Sequence, residues 1–393
     1  MSNLFQKEQE YFFATYNRTP IEIERGEGVY LIDKNGRRYL DLFAGLGVNA
    51  LGYGHRGLQE ALLKQAARYI HLSNRFIADS QVDLAQRLVS CSGYKKIFLT
   101  NSGTEAAEGT IKLARKWGKP KNKTNLLALS GSFHGRSMGA LSLTEQAKYR
   151  DGYEPFLPET GFVRFNDVDD LCKKIDGRTL AVFIEFIQGE SGINVATPSF
   201  VEALFALREQ HGFLVVADEI QSGLGRTGQF FSFEYYSVRP DVVLVAKALG
   251  GGIPIGAFLG SELVADVFTV GVHGSTFGGN PVACAAACAV LDEIVNGGLM
   301  ENAHDVGLYF RSELEGLRTE FPSLIREIRG RGLMLGMELG RSCSEVEEKM
   351  FDLNILVNCT NTSVIRFLPP LILSRPFVDE AIDALRKVLK TLT

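Results

Sequence analysis

An α/β fold built on a mostly parallel seven-stranded sheet is what this sequence predicts. One observation is a set of seven short apolar runs bounded by turn residues: KIFLT (96–100), NLLALS (125–130), FVRF (162–165), LAVFIEFI (180–187), FLVVA (213–217), VVLVA (242–246) and GAFLG (256–260). Most are too continuous for strands with one wet face, so the sheet is expected to be covered on both faces. A second is that helical patterns such as TEAAEGTIKLARKWG and SFVEALFALREQHG alternate with the runs, the signature of parallel strands joined by crossover helices. A third is length, because 393 residues exceed what one hydrophobic core usually serves. Residues 53–290 are read as the large domain. Residues 1–52 and 291–393 are read as a smaller α+β domain built from both chain ends. Within it, GVYLIDKNGRRYLDLF reads as a hairpin turning at Asn35-Gly36, and a helical stretch leads into IREIRGRGLMLGMEL and SVIRFLPPL.

Charge and composition remove several function classes. Forty-two basic against 46 acidic residues leave a net charge of -4, and no basic run is long enough for a nucleic-acid arm. The opening MSNLFQKEQEYFFATYNRTP lacks a signal peptide's basic and apolar regions, and the apolar stretches fall short of a membrane span. A cytoplasmic chain without nucleic-acid or membrane partners is expected. The six cysteines (Cys91, Cys172, Cys284, Cys288, Cys343, Cys359) are read as free thiols in a reducing compartment. Cys284 and Cys288 would lie one helical turn apart, but NPVACAAACAVLDEI reads as a closely packed small-residue helix, and no metal is expected.

The chemistry is carried by three places in the chain. In IFLTNSGTEAAEG a strand runs through Ser102-Gly103-Thr104 into a helix, whose free N–H groups suit a phosphate. Alone, the pattern reads better as a capped βα turn than as a phosphate site. Asp218, at the end of FLVVA-D, places a carboxylate where open α/β sheets bind ligands, and it calls for a cationic partner. Lys247 follows VVLVA and precedes ALGGGIP. A lysine emerging from an apolar strand is costly as a buried cation, so it should be paired, deprotonated or covalently bound. Together the three describe a pyridoxal phosphate site: phosphate on the helix start, the lysine linked to the cofactor, and the aspartate keeping the pyridine nitrogen protonated. Gly223, Gly225 and Gly228 spell GxGxxG, but DEIQS separates them from the strand and an aromatic run follows, so they are read as an active-site loop, not a dinucleotide fingerprint.

Six motifs in order, NSGTEAAEG, GSFHGR, EFIQGESG, ADEIQSGLGRTG, AKALGGGIPIGA and GSTFGGNP, resemble those of the class III (omega-amino acid) aminotransferases of fold type I, acetylornithine branch, and the likeness runs from TYNRTP to IRFLPPL. The resemblance implies that Lys247 and Asp218 are catalytic, that Gln221 lies near the ring hydroxyl, and that Gly103 and Thr104 cup the phosphate. It also implies that Phe133 stacks on the ring, and that Thr276 reaches the neighbouring subunit's cofactor across a homodimer with shared active sites. Arg136 would bind the substrate's distal carboxylate with Ser275 nearby, Arg366 would grip an α-carboxylate, and Glu190 would pair with Arg366 when another substrate is bound. Glu185 is read as a carboxylate supporting the cofactor site.

The implied reaction moves the terminal amino group of N2-acetylornithine to 2-oxoglutarate, a step of arginine biosynthesis. Alternatives are another donor (ornithine, succinylornithine, 4-aminobutyrate or a lysine-pathway amine) or an aminomutase of the same fold. The chain departs from the family at Phe186, where proline is common, and at Ser191, where glycine is common. Both flank Glu190. Gly45 stands where ornithine aminotransferases typically carry a tyrosine, leaving room for an acylated amine.

Overall fold

The computed structural model describes residues 3–392. Seven strands, β1 (Lys96–Thr100), β2 (Asn125–Leu129), β3 (Thr160–Val163), β4 (Thr179–Ile184), β5 (Leu214–Asp218), β6 (Val242–Val245) and β7 (Gly256–Gly260), form one sheet in the order β1-β7-β6-β5-β4-β2-β3. Only β7 runs against its neighbours, pairing antiparallel with β6 and β1. The side chains alternate between two cores, as a strand's period of two requires. Leu214, Val216, Val242 and Leu244 join a cluster under helix α1 (Gly103–Gly118). Val215, Ala217, Val243 and Val245 join the larger cluster on the opposite face, with residues of α2 (Pro198–His211) and α3 (Pro281–Asn296). The apolar runs therefore look continuous because both faces are dry.

Two runs end earlier than their apolar residues suggest. β3 stops at Val163 because the next two amides turn to side chains: Arg164 N donates to Asp170 Oδ2 at 2.7 Å, and Phe165 N to Ser130 Oγ at 2.9 Å. After β4, Ile187–Gln188 pairs instead with Asn194–Val195 in a separate two-stranded ribbon. Glu190 sits at its tip. Ser191 Oγ donates to Gln188 Oε1 at 2.8 Å across the base of that turn, and Phe186 is buried beside Phe233 and Tyr236. These are the local roles of the two residues that depart from the family pattern.

After α3 and α4 (Leu299–Glu320), four antiparallel strands, β8 (Ile325–Arg331), β9 (Met334–Leu339), β10 (Asn358–Thr360) and β11 (Val364–Phe367), pair in the order β8-β9-β11-β10. Helix α5 (Ser344–Asp352) lies between β9 and β10, and α6 (Arg375–Lys390) packs on α4 and α5. The N-terminal hairpin pairs Tyr30–Asp33 with Arg38–Asp41 through a turn in which Gly36 takes φ +79°. Its second strand adds Ile355–Leu356 in parallel, so both ends of the chain share a sheet.

The cysteines correct one expectation. Cys343 and Cys359 form a disulfide with Cα atoms 5.5 Å apart. Sixteen residues separate them in sequence, and only the return of the chain through α5 brings Cys343 against β10. Cys91, Cys172, Cys284 and Cys288 are free. Cys284 is buried in α3, whose alanines pack it against helices Arg56–Arg68 and Asp79–Ser92. Among the described residues no single helix is long and apolar enough to cross a membrane.

Candidate active site

The carboxyl ends of β4, β5 and β6 and the start of α1 open into a cavity of about 440 Å³. Gly103, Thr104, Phe133, Arg136, Glu185, Glu190, Asp218, Gln221 and Lys247 all line it. Sheet topology explains the convergence. Parallel strands present their carboxyl ends on one side, and residues far apart in sequence meet there.

At the floor lies a buried acid–base cluster. Asp218 Oδ2 is 2.7 Å from His134 Nδ1, and Asp218 Oδ1 accepts the Ile220 amide at 3.1 Å. Burial alone would push the His134 imidazole down, but the hydrogen bond and charge of Asp218, helped by Glu185, outweigh it and hold the ring above its ordinary value. A carboxylate oxygen only accepts, so Nδ1 is the donating nitrogen of the pair. Glu185 accepts the amides of Phe133 at 3.0 Å and Gly189 at 3.2 Å. Burial, with Asp218 adding and His134 opposing, pushes its carboxyl up to about 7. His134 as the partner of Asp218 is a functional contact that sequence reasoning missed. Its signal was a histidine one residue after Phe133 in the loop following an apolar strand.

Lys247 begins a short 3₁₀ turn after β6 and holds φ +42°, a left-handed conformation that costs a non-glycine residue about 1–3 kcal/mol and clusters at functional sites. Burial foremost, then the Arg366 cation, hold its amine below the ordinary lysine value, while Glu190, Asp218 and Glu185 pull the other way. A less basic amine is more often unprotonated and nucleophilic.

Where α1 starts, Ser102 caps the helix by accepting the Glu105 amide, and Thr104 Oγ1 lies 2.7 Å from Ser137 Oγ. A Cβ on Gly103 would come within 2.6 Å of Ile220, so the bare backbone is needed for the close approach of the loop after β5. Opposite, Arg366 Nη1 donates to Glu190 Oε1 at 2.6 Å, to Gly189 O at 3.0 Å and to Gln221 Oε1 at 3.3 Å. Burial raises the Glu190 carboxyl, but the charge and hydrogen bond of Arg366 dominate and hold it below the usual range. The structure thus makes the Glu190–Arg366 pair, with Gln221 bridging to it, although Arg366 itself stands behind the cavity wall.

Three expected residues sit at the rim. Arg136 is exposed, stacks over Tyr149 with its guanidinium 4.1 Å from the ring centroid, and has no ion pair among the described residues. Ser275 lies outside the lining but accepts from Asn101, a lining residue, at 3.2 Å. Thr276 is exposed and apart from the cavity of its own chain. The glycines of the GxGxxG run do not line the site either. The loop enters the cavity at Gln221 and Ser222, then Gly225 and Gly228, at φ +83° and +90°, turn it against Met300 and His304 of α4. Val48 lines the cavity too, presented by residues 44–47, all of which have positive φ; Gly45 is the second of them.

The donor set suits pyridoxal phosphate: an amine of lowered basicity, a buried carboxylate positioned for a ring N–H, and a glycine-led helix start. Residues 11–389 match the family model for class-III aminotransferases. An acetylornithine aminotransferase of Aquifex aeolicus is 44% identical over 96% of this chain and all of its own length. One from Methanocaldococcus jannaschii is 41% identical over 98% of both chains. Among solved structures, the ornithine aminotransferase of Toxoplasma gondii superposes with a TM-score of 0.94 at 32% identity, covering 99% of this chain and 94% of its own. The acetylornithine aminotransferase of Elizabethkingia anophelis does so with a TM-score of 0.89 at 31% identity, covering 99% and 98%. The chain belongs to the class III aminotransferases.

Proposed function

We propose that this protein transfers the terminal amino group of N2-acetylornithine to 2-oxoglutarate, yielding N-acetylglutamate 5-semialdehyde and glutamate, with pyridoxal 5'-phosphate held at Lys247. The observation that carries the reading is the Glu190–Arg366 pair beside Lys247, whose amine burial holds below its ordinary basicity. Curated relatives bearing the acetylornithine name support the donor. When bound, the cofactor would supply an electron sink for the carbon that carries the amine. Asp218 would keep the ring nitrogen protonated, and His134, donating to its other side, fixes the carboxylate for that task. Phe133 would lie against the ring, Gln221 near its hydroxyl, and Gly103 and Thr104 would hold the phosphate. Glu185 would support the loop by holding the Phe133 amide. Lys247 Nζ would take up the proton that the amine-bearing carbon of the donor releases, acting first as base and then as acid within the same pocket.

Two substrates of different charge must then share one pocket. With the acylated amine bound, Glu190 neutralises Arg366, and Arg136, with Ser275 near it, takes the distal carboxylate. With 2-oxoglutarate bound, Arg366 is released to its α-carboxylate, for which a planar bidentate donor is suited.

The same reading includes a homodimer. Thr276 stands on an exposed loop beside Phe277, which contacts His71, and Asn74 and Asn280 tie that loop to the segment bearing exposed Ile70, Phe76 and Ile77. Exposed apolar side chains on two segments tied together in this way suit a second copy, whose cofactor phosphate Thr276 would reach. A cytoplasmic location and the division at residues 52 and 290 complete the proposal.

The test is a donor panel of N2-acetylornithine, N2-succinylornithine, ornithine and 4-aminobutyrate, each with 2-oxoglutarate, alongside borohydride trapping of the cofactor. The expected result is the highest kcat/KM for the acetylated donor and a reduced adduct on Lys247. Preference for free ornithine would overturn the donor assignment, and an adduct on another lysine the site.

A further inference from the structure

Strand β10 reaches the carboxylate clamp from behind. Asn358 Oδ1 accepts both Nε and Nη2 of Arg366, at 3.1 and 2.6 Å. The two residues are cross-strand neighbours, Asn358 pairing with Arg366 in the β10–β11 ladder. Two positions along β10, on the same face, Thr360 Oγ1 donates to the Glu190 carbonyl at 3.0 Å. One short strand therefore holds both members of the Glu190–Arg366 pair. Between them Cys359 is joined to Cys343, the residue preceding α5. Helix α5 supplies Glu347, whose carboxyl is raised by burial and pulled back by hydrogen bonding from the Cys359 amide and the Asn358 side chain. A guanidinium only donates, so Oδ1 faces Arg366 and Nδ2 is left for Glu347.

The guanidinium is thus divided. Its Nε and Nη2 face a neutral acceptor, and its Nη1 faces Glu190, Gly189 O and Gln221. A neutral acceptor fixes the plane of the fork without cancelling its charge, whereas a carboxylate at position 358 would form a second ion pair that no substrate displaces. We propose that Asn358, oriented by Glu347, is a positioning residue for the dicarboxylate half of the reaction, holding Arg366 aligned and fully charged for the acceptor once Glu190 is displaced. The proposal rests on the reading of Arg366 as the acceptor's carboxylate clamp.

Single-turnover spectra provide the test, taken with N2-acetylornithine on the holoenzyme and with 2-oxoglutarate on the aminated holoenzyme that the donor half leaves. For Asn358→Ala the half-saturating 2-oxoglutarate concentration should rise about 10-fold, with its limiting rate and the whole donor half within about 3-fold of the parent. For Asn358→Asp the rise should be about 100-fold, since the added carboxylate competes for the same cation. Glu347→Ala should shift 2-oxoglutarate saturation in the same direction as Asn358→Ala, and Glu347→Gln should restore it, because its amide oxygen accepts the same bond. If both Asn358 variants change the two halves alike, or if the aspartate binds 2-oxoglutarate as well as the alanine does, Asn358 only supports the fold and the proposal is overturned. Should Asn358→Ala fail to fold, the Glu347 pair decides: no shift in the alanine, or no rescue by glutamine, overturns it. Arg366→Ala separates the two levels. If it leaves 2-oxoglutarate saturation unchanged, the clamp reading itself falls; if it abolishes saturation while Asn358→Ala does nothing, only the positioning role falls.

Discussion

The floor and the rim of the cavity are built on opposite principles. At the floor the carboxylates have their partners within the chain: Asp218 with His134, Glu185 with two backbone amides, Glu190 with Arg366. At the rim Arg136 has, among the described residues, only aromatic faces for company, and Thr276 stands on an exposed loop. Floor residues are desolvated, so leaving one unpaired costs the full desolvation of its partner, while a rim residue in water waits without penalty for a substrate or a second subunit. The difference teaches where function can be read from one chain and where it needs another molecule.

The largest expected effect breaks the floor. Asp218→Asn alters the acceptor of His134 and, in the proposed reading, the partner of the ring nitrogen, and kcat should fall about 10²- to 10³-fold, as when one preorganised electrostatic partner is lost. A shifted absorption band of the bound cofactor should accompany the loss. Retained kcat would mean that the floor is scaffolding. Next comes the boundary between the two regions. Arg366→Ala should weaken 2-oxoglutarate by about 100-fold, whereas Glu190→Ala should slow the acetylornithine half and make glutamate a better donor, because truncating one member of a desolvated pair costs about 2–5 kcal/mol. Equal loss of both half-reactions in both variants would make the pair structural.

At the rim, Thr276→Ala should lower cofactor affinity about 10-fold without changing the fold of the isolated chain, since one hydrogen bond to a charged group contributes about 1.5–3 kcal/mol. Sedimentation should show a dimer, and a fully active monomer would remove the reason to place Thr276 in a site at all.

The smallest effect lies away from the cavity. Glu219 is buried, accepts from Ser222 and Ser232, and burial raises its carboxyl to about 7 against those hydrogen bonds. The folded state then keeps a proton that the unfolded chain releases near its ordinary value, so this group's contribution is intact in acid and is lost as pH rises through about 7. Glu219→Gln should be less stable throughout, because its NH₂ faces donors, yet its melting temperature should vary less between pH 5 and 8. A slope identical to the parent's would assign the pH dependence elsewhere.

The sequence made the floor legible and left the connections obscure. Lys247 and Asp218 are visible because a charged residue at the end of a dry strand has few structural excuses, and the seven runs are visible because both faces of the sheet are covered. The strand ends at Val163 and Ile184 were less so, since side-chain acceptors such as Asp170 intercept the next amides and no apolar pattern records that. The disulfide was misread for a related reason. Spacing tells nothing of Cys343 meeting Cys359 until α5 folds the chain back. His134 and Asn358 escaped because each acts through one partner distant in sequence, and a lone polar residue carries no period.

Lys247 holds a backbone conformation that suits glycine, and it also places an amine in surroundings that disfavour its charge. On both counts the fold would tolerate glycine there more readily than the residue it has. A library of this chain sorted for heat resistance without cofactor should therefore enrich replacements at position 247, glycine first, while every survivor is inert. Selection for ruggedness and selection for chemistry then pull on the same residue in opposite directions, so an engineered version should be screened loaded, where the proposed covalent link would give the lysine a reason to stay.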